Sequence, residues 1–121
     1  MKVLSAIFLS LLFVNSSFAA GERVDPSEAW KMIRQGAAVI DVRSADEFSN
    51  GHLKRAKNVP LSDLPAGIAP LKIDKQGPII VYCKSGRRAA LAQQTLEKSG
   101  YTHVVNAGGY EALKKARPPK G

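Results

Sequence analysis

Apolar residues along this chain come in two arrangements, short unbroken runs and residues repeated at three- and four-residue intervals, and the two alternate. Ala37-Ala38-Val39-Ile40 runs into the polar Asp41-Val42-Arg43, and Pro78-Ile79-Ile80-Val81-Tyr82 is rich in β-branched residues. Both have the character of strands buried on two faces. Residues 102–105 hold a third strand and residues 56–60 a shorter one. Between them lie helical stretches. Asp25-Pro26-Ser27-Glu28 supplies a cap, a first-turn proline and the acidic residue of a capping box. Ala29, Trp30 and Ile33 then make an apolar face, with Trp30 in the core, and Gly36 is the stop. Ser44 caps a short helix through Asp46, Glu47 and Phe48, before the turn signal Asn50-Gly51. Residues 61–70, punctuated by proline and glycine, predict a short helix and loops. Residues 87–99 place Ala89, Ala92 and Leu96 on one helical face ahead of Gly100. Asn106-Ala107-Gly108-Gly109 reads as a tight turn, and residues 110–116 as a last helix. Strands alternating with helices predict α/β layers around a mainly parallel sheet. Such sheets bind ligands at the carboxyl ends of their strands. Asp41, Arg43 and Cys83 all fall at such ends.

Residues 1–19 follow a different pattern. Lys2 gives a positive start, residues 3–14 are apolar apart from serines, and Asn15-Ser16-Ser17-Phe18-Ala19 is small and polar at its exit. This is the plan of a secretory signal peptide, with cleavage expected after Ala19. A retained membrane anchor is the alternative, but a spanning helix needs about 20 apolar residues. No cysteine stands at the cleavage point, which disfavours a lipid anchor. The expected organisation is a signal peptide over 1–19, one domain over 20–116 and a basic, fraying tail over 117–121. For a Gram-negative source the destination is the periplasm, with no stable membrane anchor.

Composition changes this picture in two ways. The formal charge of +8 favours an anionic partner: nucleic acid, an anionic membrane or a small anionic substrate. Export argues against nucleic acid, so a small anion is expected; a generally basic surface is the plainer alternative. The single cysteine excludes an internal disulfide, although exported domains of this size often carry them. A lone thiol in an oxidising compartment is either buried and inert or put to use.

The neighbours of Cys83 favour use. The cysteine ends a strand and the next residues, Lys84-Ser85-Gly86-Arg87-Arg88, curl into a helix N-terminus. There the helix dipole and unpaired backbone N–H groups attract negative charge. A curved loop turns several N–H groups inward as an anion nest, and Gly86 permits the curl. Lys84, Arg87 and Arg88 add positive charge. Each effect favours a thiolate, and a persulfide anion would be held by the same donors. A buried structural cysteine would more naturally be followed by apolar residues.

Val81-Tyr82-Cys83-Lys84-Ser85-Gly86-Arg87-Arg88-Ala89 resembles the active-site loop of the rhodanese family. Asp41-Val42-Arg43, Glu47-Phe48, Gly51-His52, Ala56, Asn58 and Pro60 resemble the upstream family signature, and residues 105–110 with Gly108-Gly109 resemble its closing segment. The likeness spans nearly all of the chain after residue 19 and is most like the exported, single-domain phage shock protein E type. It implies a five-stranded, mainly parallel sheet flanked by helices on both faces, and a sulfurtransferase that needs no metal or organic cofactor. Cys83 would attack the outer sulfur of a donor such as thiosulfate, become a persulfide, and pass that sulfur to cyanide or a thiol. The chain is expected to act as a monomer. Carried over residue by residue, Cys83 is the nucleophile and Lys84, Ser85, Gly86, Arg87 and Arg88 supply backbone N–H groups to its sulfur. Lys84 and Arg88 would attract the donor's sulfonate. Asp41 and Arg43 would brace the loops, with Glu47 as a partner for Arg43. His52 and His103 receive structural readings. Lys54-Arg55 departs from the small turn common in the family and would add charge near the site mouth.

Phosphate or arsenate chemistry is the main alternative, since related folds use cysteine–arginine loops for it. Those loops run one residue longer, to surround a tetrahedral oxyanion. A persulfide carrier for a protein partner is a second. Scaffolding modules of this kind typically lack the cysteine, and a disulfide oxidoreductase would need a second one.

Overall fold

Asp25 begins the first helix of the computed structural model, which describes residues 20–119; the expected signal peptide and the end of the tail lie outside that range. The Asp25 carboxylate accepts from the Glu28 backbone N–H at 2.9 Å, and α1 runs over Pro26–Arg34. Four parallel strands follow in the spatial order β2-β1-β3-β4: β1 (Ala38–Asp41), β2 (Lys57–Asn58), β3 (Pro78–Cys83) and β4 (His103–Gly109). Between them lie α2 (Ala45–Ser49), two 3-10 turns (Leu61–Asp63 and Ala66–Leu71) and α3 (Arg87–Lys98), and α4 (Tyr110–Lys115) closes the order. In α2 the Ser44 hydroxyl accepts from the Glu47 N–H while the Glu47 carboxylate accepts from the Ser44 N–H, a complete capping box.

Among the described residues the sheet has four strands, not the five expected. The fifth place is taken by a single bridge, Arg23 to Asn106, held by Val24 N–H to Asn106 O and Asn106 N–H to Glu22 O, both at 3.0 Å. The reason is local. Asp25 caps a helix and Pro26 is its first residue, so the extended segment cannot continue past Val24. A second correction concerns Asn106-Ala107-Gly108-Gly109, which extends β4 instead of turning. Its glycine character is spent inside the strand. The pairing with β3 shifts register between Val81 and Cys83, and Gly108 has a φ of +86°. Such a shift bends the strand without ending it.

Side chains alternate across β3 and divide the core. Ile80 and Tyr82 face α1 and α4, among Ala29, Trp30 and Leu113. Ile79, Val81 and Cys83 face α3, among Ala89, Ala92 and Leu96. Trp30 is a core residue as expected, and its indole N–H donates to Leu113 O at 2.8 Å, tying α1 to α4. Each fully buried isoleucine of β3 contributes on the order of 1.5–3 kcal/mol. The period of two decides the placement of the cysteine. Its sulfur belongs to the α3 layer, where a helix N-terminus approaches the sheet.

Candidate active site

At the carboxyl end of β1 the chain is closed by a buried ion pair. Arg43 Nη2 lies 2.6 Å from Asp41 Oδ2, and Arg43 Nε is 3.0 and 3.1 Å from the two carboxylate oxygens. The Arg43 backbone N–H also donates to Asp41 Oδ1, at 2.9 Å. The guanidinium spends a further bond on Gly51 O, at 2.7 Å, and sits 4.5 Å from the Tyr110 ring centre. The hydrogen bonds that Arg43 donates to the Asp41 carboxylate raise its pKa above the ordinary value, so the cation is permanent. Asn58 donates to the carbonyls of both Asp41 and Arg43 at 3.0 Å, fastening β2 to this exit. Tyr82, beneath it, accepts from the Leu53 N–H at 3.0 Å, and burial pushes its phenol pKa up.

At the carboxyl end of β3 the arrangement is different. Cys83 is fully buried, and its sulfur receives the Gly86 N–H at 3.0 Å and the Ala89 N–H at 3.4 Å. Gly86 is the cap of α3 with a φ of +97°, a conformation that suits glycine. The N–H groups of the cap, Gly86, and of Ala89 in the first turn of α3 therefore point at the sulfur. Lys84 and Ser85 are exposed on the outside of the loop. The hydrogen bonds at the sulfur thus come from one of the expected residues, Gly86, and from Ala89, just beyond the expected set.

Three neighbours hold this loop, and none stood out in the sequence as a site residue. Asn106 donates from its side chain to Gly86 O at 2.9 Å and accepts the Gly108 N–H at 2.8 Å. Gly109 passes so close to the Lys84 carbonyl that a methyl group there would overlap it. The Arg23 guanidinium lies against Gly86, where an added methyl would come within 2.6 Å of Nη1. The Asn-x-Gly-Gly pattern was the available signal for the first two. Arg23 carried none, because nothing local to it points at a loop 60 residues away in the chain.

Two expectations about charge are corrected. Glu47 pairs with Arg88, not Arg43, through bonds of 2.8 and 3.0 Å from the two guanidinium nitrogens. Arg43 is turned instead toward Asp41 and Gly51 O. The Arg88 bond holds the Glu47 carboxyl down at about 2, against an ordinary 4.5, with the Ser44 N–H assisting. Lys54 and Arg55 do not lie at the mouth of the Cys83 loop; they line clefts beside the amino-terminal half of β1. His52 is structural, its ring stacked on Phe48 at 3.6 Å and its Nδ1 2.8 Å from Phe48 O. His103 opens β4, away from the sulfur. Two open clefts flank the loop. One is lined by Lys84 with Arg43, Glu47, Gly51 and Tyr110, and the other by Arg88 with Val42, Ser44, Pro60 and Leu61.

Comparison with known proteins places these features in a wider set. Residues 25–116 match the model of the rhodanese-like domain. The thiosulfate sulfurtransferase PspE of Escherichia coli is 41% identical over 81 residues, covering 67% of this chain and 75% of that protein. The thiosulfate sulfurtransferase GlpE of Stutzerimonas stutzeri is 31% identical over 98 residues, 80% of this chain and 88% of the relative. Among solved structures, the human single-domain sulfurtransferase TSTD1 superposes with a TM-score of 0.69 at 27% identity, over 79% of this chain and 97% of its own.

Proposed function

The chain belongs to the rhodanese-like domain family, and from that premise we propose that it is a thiosulfate sulfurtransferase working through a persulfide on Cys83. The observation that carries the proposal is the convergence of the Gly86 and Ala89 N–H groups on one buried sulfur at the start of α3. Donors fixed by the backbone are in place before the reaction and need no rearrangement when the sulfur carries negative charge.

The Cys83 thiolate attacks the outer sulfur of thiosulfate. A new S–S bond forms, the donor's S–S bond breaks, and its electron pair leaves with sulfite. The terminal sulfur of the resulting persulfide carries the negative charge. Cyanide, or a thiolate acceptor, then attacks that terminal sulfur and leaves as thiocyanate, or as the acceptor's persulfide, and Cys83 is restored as thiolate. Splitting the transfer in two removes any need for donor and acceptor to meet. Lys84 is the cation that draws the sulfonate to the mouth, because Arg88 is already occupied by Glu47. Gly86, Ser85, Arg87 and Arg88 shape the curl, and Asp41 and Arg43 brace it from the neighbouring strand exit. Residues 1–19 direct export to the periplasm. No helix among the described residues is long and apolar enough to cross a membrane.

The six-residue interval from Cys83 to Arg88 favours sulfur over a tetrahedral oxyanion. Turnover of thiosulfate with cyanide, measured beside hydrolysis of a phosphate monoester, separates the two. Thiocyanate formation without phosphate release is expected; phosphate release alone would overturn the reading.

A further inference from the structure

Arg55 stands between two adjoining clefts beside the amino-terminal half of β1, and no carboxylate lines either. The first is floored by Trp30, Ile33, Val39 and Leu53, with Arg34, Lys54 and Arg55 at its rim. Ala38, Val39, Leu71 and Ile73 help to wall the second, with Arg55 and Lys57 beside them. Between the clefts β1 lacks a neighbour. Its pairing with β2 begins only at Ile40 and Lys57, while Ala38 and Val39 pair on the β3 side alone. Arg34, Lys54, Arg55 and Lys57 are exposed, and among the described residues none of their side chains has an ion pair or hydrogen bond. Cations on a bare strand edge are a common defence against unwanted pairing. That defence needs no apolar clefts, and here one lies on either side of the central arginine.

We propose that this face docks an acidic segment of a partner protein in which apolar side chains flank a carboxylate. The carboxylate meets Arg55 and the apolar side chains enter the two clefts. Four cations with no internal partner supply the charge complementarity that orients such a segment and speeds its arrival. The apolar floor distinguishes it from a free anion, which would gain nothing from Trp30, Leu53 or Ile73. Cys83 lies at the other end of the strands, so a docked partner is tethered beside the sulfur chemistry and does not compete for it. The inference is independent of the sulfurtransferase reading.

The probe is a labelled peptide of alternating leucine and aspartate, with an otherwise identical peptide carrying asparagine for aspartate. Saturable binding of the acidic peptide is expected, with backbone amide shifts confined to residues 30–34, 37–40, 53–57 and 71–73. Arg55→Glu should weaken it by about tenfold or more, and Lys98→Glu, the same charge change on α3, by less than about twofold. Thiocyanate formation should be unchanged in both variants. Equal binding of the asparagine peptide, equal loss in the two variants, shifts centred on the Cys83 loop, or no binding would each overturn the proposal.

Discussion

Two strand exits lie side by side at the same end of the sheet, and they are built in opposite ways. The exit of β1 is closed by side chains. Asp41 and Arg43 pair with one another, Gly51 O accepts a further guanidinium N–H and Asn58 fastens the carbonyls. The exit of β3 is open on the inside. Its polar groups are backbone N–H donors, and two of them meet a single sulfur. Burial of charge is tolerated at β1 because the carboxylate and guanidinium pair at close range and each is also tied to the backbone. On the proposed mechanism the donors at β3 instead serve a charge that comes and goes during the reaction. The same end of the sheet thus holds a permanent ion pair that gives rigidity and, on the proposed mechanism, a transient anion that gives chemistry.

Breaking the first exit should cost stability, and breaking the second should cost chemistry. Asp41→Ala strands Arg43 in a buried site and should destabilise the fold by about 3–5 kcal/mol. Denaturant titration checks this, and the protein that remains folded should still form a persulfide. Gly86→Ala strikes the second exit. An alanine at a φ of +97°, crowded by Arg23, should cost about 1–2 kcal/mol and turn the Gly86 N–H off the sulfur. Its rate of sulfur transfer should fall much further than its unfolding midpoint. If the two fell together, the division between the exits would be wrong.

Much of this contrast was legible in the sequence. Cys83 at the end of an unbroken β-branched run, followed by a basic, glycine-containing curl, announced a helix N-terminus beneath a sulfur. Asp41 and Arg43 were legible as strand-end residues, and the family resemblance implied that they brace the loops. Partners distant in the chain were not legible. Glu47 sits nearer to Arg43 in sequence, yet it bonds Arg88, because Arg43 points back onto its own strand. Asn106 and Gly109 looked like turn residues, since local propensity cannot show that a strand must pass within contact of a neighbouring loop. The fifth strand shrank to one bridge because the helix cap at Asp25 competes for the same residues.

The ion pair between Glu47 and Arg88 joins α2 to the start of α3 beside the second exit, and it sharpens the comparison because its side chains are 36% and 31% exposed. Removing it by Glu47→Gln should cost less than about 1 kcal/mol. The sign with pH follows from the lowered carboxyl pKa. The contribution is complete above the ordinary value of 4.5 and is lost as the pH falls toward about 2. Wild type and Glu47→Gln should therefore differ by a constant amount in urea midpoint at neutral pH and converge in acid. A difference that grew in acid would contradict the assignment.

Cys83→Ser removes the atom on which the second exit converges and should abolish transfer while shifting thermal unfolding by only a few degrees, roughly what a change of under 1 kcal/mol produces in a domain of this size. The most direct measurement is intact mass after incubation with thiosulfate. The account predicts that the wild-type chain gains the mass of one sulfur atom, that cyanide removes it, and that Cys83→Ser gains nothing. An unchanged wild-type mass, or a sulfur adduct on Cys83→Ser, would contradict it.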